Sequence, residues 1–191
     1  VVNELDAMFR RRSISRLSEP GPSDEELERM LTAAAAAPDH GELRPWKFVV
    51  LRGEAKDRFG EEVFVPAFLA RCPEPGPGQL DKERRKLARA PVVVVVGAVR
   101  RESDTIPWEE QFAAGAAAAQ NLLLAATALG YGSMWRTGDQ AYDPRVKAAL
   151  GLREQDAVVG FVYLGTVPKG GEKPPRDPDL DGLVEVWSPS A

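Results

Sequence analysis

Four arginines fall within seven positions, Arg10, Arg11, Arg12 and Arg16, with Ser13 and Ser15 between them. Guanidinium forks give paired, charge-assisted hydrogen bonds and hydroxyls fill the remaining acceptor sites, so this run suits a phosphate dianion. The formal net charge of the chain is −4, which makes the cluster a local exception and not part of a basic surface. Read alone, the run also fits the solvated basic end of a helix, where cations are favoured.

Two more loops concentrate side chains able to do chemistry. One is Pro38-Asp39-His40-Gly41-Glu42-Leu43-Arg44-Pro45-Trp46, polar and placed between a helix and a strand. The other is Tyr131-Gly132-Ser133-Met134-Trp135-Arg136-Thr137-Gly138, a glycine-framed strand with an aromatic, a cation and a hydroxyl in series. Each has a plainer reading: a surface histidine, a tryptophan anchoring the core, an ordinary strand end. His40 and Cys72 are the only histidine and cysteine, which excludes a disulfide framework and a multi-thiolate or His-rich metal site. No Gly-x-Ser-x-Gly elbow, phosphate-binding Gly-x-x-x-x-Gly-Lys loop or Gly-x-Gly-x-x-Gly turn is present, so hydrolase triads, nucleoside triphosphatases and Rossmann dehydrogenases are disfavoured.

The 191 residues, 43% hydrophobic and 28% charged, describe one globular domain over 1–191, with 169–191 as a C-terminal extension. No apolar run reaches the roughly 18–20 residues of a membrane span, and Val1-Val2-Asn3-Glu4-Leu5-Asp6 has no leader pattern. The expectation is a cytoplasmic protein without a membrane or nucleic-acid partner, duplex binding requiring a broad basic face.

The elements that must position the three loops are legible. A helix is expected over about 3–11. Ser23 and Glu26 form a capping box opening a second helix that ends before Pro38. Trp46–Arg52 reads as a strand, Val92–Val96 (continuing to Val99) and Ala157–Thr166 as strands buried on both faces. Glu109–Leu129 reads as one long helix stopped by Gly130, with an Ala/Gly stretch at 113–119 suited to close packing or a subunit contact. A short strand follows at Ser133–Arg136, then a helix opened by Asp143-Pro144 and closed by Gly151. Arg71–Gly78 and Lys82–Arg89 read as a mobile or peripheral insertion without chemistry. Leu183–Trp187 reads as an alternating strand whose long approach, Lys169–Pro178, suggests pairing on another subunit's sheet edge.

In this order the pieces resemble the nitroreductase family of flavoenzymes, over about residues 3–168. The likeness rests on Arg11-Arg12-Ser13, on Ala37-Pro38-Asp39-His40 through Arg44-Pro45-Trp46-Lys47-Phe48, on Leu129 through Arg136, and on Leu150-Gly151-Leu152 leading to Val158–Thr166. The Pro-Asp-His loop and the Trp-Arg-Thr strand are most similar to a compact bacterial subgroup of NAD(P)H nitroreductases.

The resemblance implies an α+β fold, with a central, mostly antiparallel sheet flanked by helices, a long Ala-rich central helix and a C-terminal strand extending onto the partner subunit. It implies a homodimer with FMN at the interface and a ping-pong cycle in which NAD(P)H is the electron donor and nitroaromatics, quinones or similar molecules are acceptors. Arg11, Arg12 and Ser13, with Ser15, would hold the phosphate and ribityl chain. Pro38, Asp39 and His40 would approach from the partner subunit, and Trp135, Arg136 and Thr137 from the other side. Ala125, Ala126, Thr127, Ala128, Leu129 and Gly130 would meet the nicotinamide nucleotide. No catalytic side chain and no metal are implied, since the flavin supplies the chemistry. Arg136 is the candidate for stabilising the reduced, anionic flavin. The relatives carry an arginine where this chain has Ala36, and Arg176 is the candidate replacement. The same fold also serves enone reduction, dehalogenation and flavin breakdown, and a flavin-binding protein without turnover would share the arginine cluster.

Overall fold

A computed structural model of the chain describes residues 4–188. The helices are α1 (Glu4–Arg10), α2 (Asp24–Ala35), α3 (Gly53–Phe59), α4 (Val65–Arg71), α5 (Gln79–Arg84), α6 (Trp108–Ala128) and α7 (Pro144–Ala149). Asn3, the expected first residue of α1, lies outside the described residues. The strands are β1 (Trp46–Arg52), β2 (Val92–Ala98), β3 (Gly132–Arg136) and β4 (Ala157–Gly165). They form one antiparallel sheet in the order β1-β2-β4-β3.

The two strands without a polar face are the central ones, as strand chemistry requires when both faces are covered. Val93 and Val95 of β2 point into one core, while Val92, Val94 and Val96 point into the other. A register shift between Val96 and Gly97 inserts Val159 as a bulge in β4. Val158 and Phe161, three residues apart, therefore face the same side.

One face of the sheet is covered by α2 and α6. The Ser23–Glu26 capping box opens α2, and α6 ends at Gly130, whose φ of 86° only glycine adopts without strain. Along α6, Ala118, Ala119, Leu122, Leu123 and Ala126 are buried. Its opposite side leaves Phe112, Ala113 and Gln120 exposed and Ala117 and Leu124 half-exposed in the isolated chain.

The opposite face corrects the reading of 71–89 as peripheral. The chain after β1 forms α3, a π-helical stretch at Gly60–Phe64, α4, α5 and a 3-10 turn at Lys86–Arg89. Phe64, Ala67, Leu87 and Glu83 are buried, and Phe64 packs edge-on against Phe161 of β4. The charged pattern of 82–89 concealed this because Leu87 is its only large apolar residue. Gly60 is necessary here: a Cβ on it would lie 2.2 Å from the carbonyl oxygen of Arg84.

Beyond Val167 the chain is irregular through the last described residue. Leu183–Trp187, read as a strand, makes no strand pairing among the described residues, and Leu183, Val184, Val186 and Trp187 are exposed. An alternating segment becomes a strand only where an edge is offered to it.

Asp156 ties the start of β4 to the end of β2. It is buried and accepts the Arg100 N–H at 2.9 Å, the Arg153 N–H at 2.7 Å and the Arg153 guanidinium at 2.9 and 3.1 Å. Burial pushes its carboxyl up, but these four donors outweigh that and hold it below the usual aspartate range. The ion contributes full stability above the ordinary aspartate value of about 3.9 and loses it as pH falls through the lowered folded value. Asp156→Asn is expected to cost about 2 kcal/mol at neutral pH. In urea unfolding curves that deficit shrinks in strong acid, where the wild-type carboxyl is itself neutral.

Candidate functional site

The arginine run leaves α1 as an extended segment lying along the outer edge of β3. Ile14 and Leu17 are buried and anchor it. Ser13 bridges Ser133, with the Ile14 N–H donating to the Ser133 carbonyl at 3.0 Å, and the Leu17 N–H reaches the Arg89 carbonyl at 2.8 Å. Arg11, Arg12 and Ser13 are partly buried and Ser15 is exposed.

The C-terminal tail runs beside this segment. The Arg176 N–H donates to the Phe9 carbonyl at 2.8 Å, Lys173 Nζ reaches the Ser13 carbonyl at 2.7 Å, and the Arg12 guanidinium bonds the Pro174 carbonyl. Burial lowers the pKa of Arg11, and the charges of Arg176 and Arg12 lower it further. Like charges have thus been gathered, at a cost that a bound dianion would reverse. Arg176 stands beside Arg11.

The segment has two sides. A cavity of about 440 Å³ is lined by Arg10, Arg12 and Ile14, by Thr127 and Tyr131 at the end of α6, and by Lys173. Arg11, Ser13 and Ser15 do not line it. The Arg11-Arg12-Ser13 motif therefore does not point at one place, as expected of extended backbone, where neighbours alternate.

A second group of cations escaped the sequence reading. Arg16 converges with Lys82, Arg85 and Arg89 around a cavity of about 430 Å³, with Asp81 as the lining acid. The spacing of Lys82, Arg85 and Arg89, three and four residues apart, was the available signal, one helical face of like charge. Next to it, Arg89 and Lys86 line a cavity of about 270 Å³ with Arg136, Thr137, Phe161 and Tyr163. Nε of Arg136 is buried there without a partner among the described residues. Tyr163 donates to the Lys86 carbonyl at 3.3 Å. Burial pushes its phenol up to about 12, against the opposing charges of Arg136 and Arg89, so it stays protonated across the neutral range.

Trp135 and Arg136 take opposite faces of β3. The Trp135 indole packs under α2 and α6, and its Nε1–H donates to the Val159 carbonyl at 3.1 Å. Gly160 makes room for it, since a Cβ there would lie 2.1 Å from Nε1. Trp135 is a core anchor, and only its backbone and ring margin are left for a ligand. What the strand offers instead is its outer edge. Beyond the Ser133 bridge, the Trp135–Thr137 backbone is unpaired on that side among the described residues.

His40 lies elsewhere. Its Nδ1 is 2.7 Å from Glu110 Oε2 in the first turn of α6, whereas Arg12 shares a cavity with Thr127 in the last turn. Seventeen residues of helix put these ends about 25 Å apart. One chain does not bring His40 to the arginine segment. Pro38 is exposed, and Asp39 is engaged as a loop brace, accepting the Arg44 N–H at 2.5 Å. Of the Ala125–Gly130 set, Thr127 and Gly130 line the first cavity. Ala126 is fully buried, Ala125 and Leu129 pack against the core, and the Thr127 hydroxyl donates to the Leu123 carbonyl. That set therefore reaches a ligand through the helix end only. Among the described residues, no cluster of metal-ligating side chains occurs.

A helix-flanked antiparallel sheet, with cations gathered along the outer edge of its last strand, defines an α+β protein with a candidate anion site. Residues 8–166 match the model of the Nitroreductase family. The chain is 40% identical over 166 residues to YdjA of Escherichia coli strain K12, which carries an NAD(P)H nitroreductase name, covering 86% of this chain and 88% of that one. A Haemophilus influenzae protein of the same designation is 34% identical over 96% of this chain and 98% of its own. Among solved structures, a nitroreductase-like protein of Bacillus cereus superposes with a TM-score of 0.81 at 23% identity, covering 99% and 98% of the two chains. A Bacteroides fragilis nitroreductase with bound FMN gives 0.72 at 25%, covering 97% and 98%. The chain belongs to the nitroreductase family, a family of oxidoreductases.

Proposed function

We propose that this chain is an FMN-dependent oxidoreductase that takes electrons from NADH or NADPH and passes them by a ping-pong cycle to nitroaromatic, quinone or similar acceptors. The observation that carries the reading is the gathering of Arg11, Arg12, Lys173 and Arg176 at one end of an unpaired β3 edge. Bound FMN supplies hydride chemistry, and the protein has to bind, orient and shield it.

Arg11 and Arg176, with Ser13 and Ser15, would hold the phosphate, with Arg12 contributing from the other side of the segment. The free backbone edge of Trp135–Thr137 would meet the polar margin of the planar ring. Arg16, Lys82, Arg85, Arg89 and Arg136 would supply positive charge where the reduced ring becomes anionic. Arg136→Gln is expected to lower the flavin midpoint potential by about 30–60 mV, one to two tenfold steps for a two-electron couple. An unchanged potential in spectroelectrochemistry removes Arg136 from that role.

The working form is a homodimer of single-domain subunits, acting in the cytoplasm. Two observations support the dimer. The arginine segment and His40 stand at opposite ends of α6, so antiparallel pairing of α6 with its copy about a two-fold axis would bring His40 of one subunit to the arginine segment of the other. The outer edge of β1 is unpaired among the described residues and borders a groove of about 630 Å³ lined by Leu27, Leu31, Phe48 and Val50. That edge would receive Leu183–Trp187 of the second copy.

The deciding measurement is the visible absorption spectrum of the purified protein, before and after anaerobic NADH or NADPH. Flavin bands that bleach establish the reading. Bands that persist indicate flavin binding without nicotinamide turnover, and a protein that stays colourless with added FMN overturns it.

A further inference from the structure

We propose that Glu110 is a positioning residue for His40, holding a proton on Nδ1 and so presenting Nε2 as the atom that gives a proton to the acceptor. The inference rests on the proposed function only in the identity of what Nε2 meets; the His40–Glu110 pair is a feature of the chain by itself.

A carboxylate is an acceptor only, so a contact of 2.7 Å between Glu110 Oε2 and His40 Nδ1 requires Nδ1 to be the donor. The ring is thereby held in one tautomer when neutral, with Nε2 unprotonated, and carries its second proton on Nε2 when charged. No hydrogen bond among the described residues reaches Nε2, and the imidazole is 63% exposed in the isolated chain. A histidine with one nitrogen engaged by a carboxylate and the other open is arranged for proton transfer at the open atom.

The loop around it is held stiffly. Glu42 (φ 52°) and Arg44 (φ 46°) both occupy the left-handed region, uncommon for residues with a side chain. Asp39 ties the loop across its base through the Arg44 N–H, and Arg101 donates to the Arg44 carbonyl at 3.4 Å. Gly41 abuts Ile106, to which a Cβ would come within 2.5 Å. Such strain persists where surrounding structure imposes it, and it collects at functional sites. The charged groups on the surrounding elements are Asp39, Glu42 and Arg44 on the loop, Arg100, Arg101, Glu102 and Asp104 on the segment carrying Ile106, and Glu109 and Glu110 on α6; among the described residues only Glu110 is bonded to the ring.

Reducing a quinone or nitro group by hydride needs one further proton. The imidazolium Nε2–H bond breaks, the acceptor oxygen gains that proton, and the neutral ring keeps its Nδ1 proton on Glu110. Solvent then restores the proton to Nε2. Electrons come from NAD(P)H in the proposed cycle, so the step adds no reductant.

Because His40 is the only histidine, labelling with [15N]histidine gives one imidazole to read by NMR. In FMN-loaded wild type the neutral ring is expected as the Nδ1–H form, and Glu110→Ala is expected to shift it toward Nε2–H. Glu110→Gln, which keeps an acceptor oxygen, should retain the wild-type form. In stopped-flow reoxidation by a benzoquinone, the fall in rate with rising pH should vanish in His40→Gln. In Glu110→Ala the neutral-pH rate should fall about tenfold, because the ring no longer presents Nε2 in one fixed tautomer and orientation. FMN affinity of the Glu110 variants should stay within about twofold of wild type. An Nε2–H ring in wild type, or no tautomer change in Glu110→Ala, overturns the role of Glu110. A pH profile unaltered in His40→Gln overturns proton delivery. The tautomer is readable without flavin, so a protein that binds no FMN fails the proposed function and leaves the Glu110 result standing.

Discussion

Replacing Arg11 by glutamine is expected to cost the chain most of its affinity for FMN while leaving the flavin-free protein as stable as before, or slightly more so. The two signs come from one arrangement. Arg11 is partly buried beside Arg176 and Arg12, whose charges oppose its own. Without an anion these cations repel, by up to about 1 kcal/mol per pair near a surface. With a phosphate among them, each charge-assisted contact contributes roughly 1.5–3 kcal/mol net, which corresponds to roughly 10- to 150-fold in the dissociation constant. Arg176→Gln should behave alike. The double variant should lose less than the product of the single losses, because the two guanidinium groups share one ligand. Titration by flavin fluorescence quenching and thermal melts of the flavin-free proteins measure both quantities. An Arg11→Gln protein that melts markedly lower and still binds FMN tightly shows a structural arginine, and the phosphate assignment falls.

Removing the chain after Pro178 is expected to abolish the dimer at micromolar concentration and flavin retention with it. In the isolated chain Leu180, Leu183, Val184, Val186 and Trp187 are 62%, 76%, 66%, 87% and 81% exposed. So many large apolar side chains on one irregular segment signal an unmet surface. Each contributes roughly 1.5–3 kcal/mol when buried, so losing them from both subunits should weaken association by at least about 100-fold. Lys173 and Arg176 remain in this truncation, so any loss of flavin reports the missing subunit contact and not missing cations. Sedimentation velocity with absorbance at the flavin band reads mass and cofactor together. A truncated protein that still sediments as a flavin-loaded dimer places the interface elsewhere.

The sequence marks His40 as a polar side chain in a helix–strand loop, but its distance from the arginine run follows from the length of α6 and from which end each loop meets. Periodicity carries no such information about loops whose ends are set by packing.

Local signals located the fold's skeleton because each arises within a few residues. The Ser23–Glu26 capping box, the Asp143-Pro144 helix start, Gly130 and the all-apolar β2 and β4 stand where steric and hydrogen-bond rules put them. By itself the sequence thus determined the four strands, the helices α1, α2, α6 and α7, the clustering of arginines and serines ahead of Ile14, and the family. Tertiary structure alone decided that 60–89 covers a sheet face, that Trp135 is a core anchor, that Arg176 returns to Arg11, and that Lys82, Arg85 and Arg89 meet Arg16. The reason is physical: capping and alternation are properties of neighbours along the chain, whereas charge convergence and burial depend on which distant segments the two cores draw together.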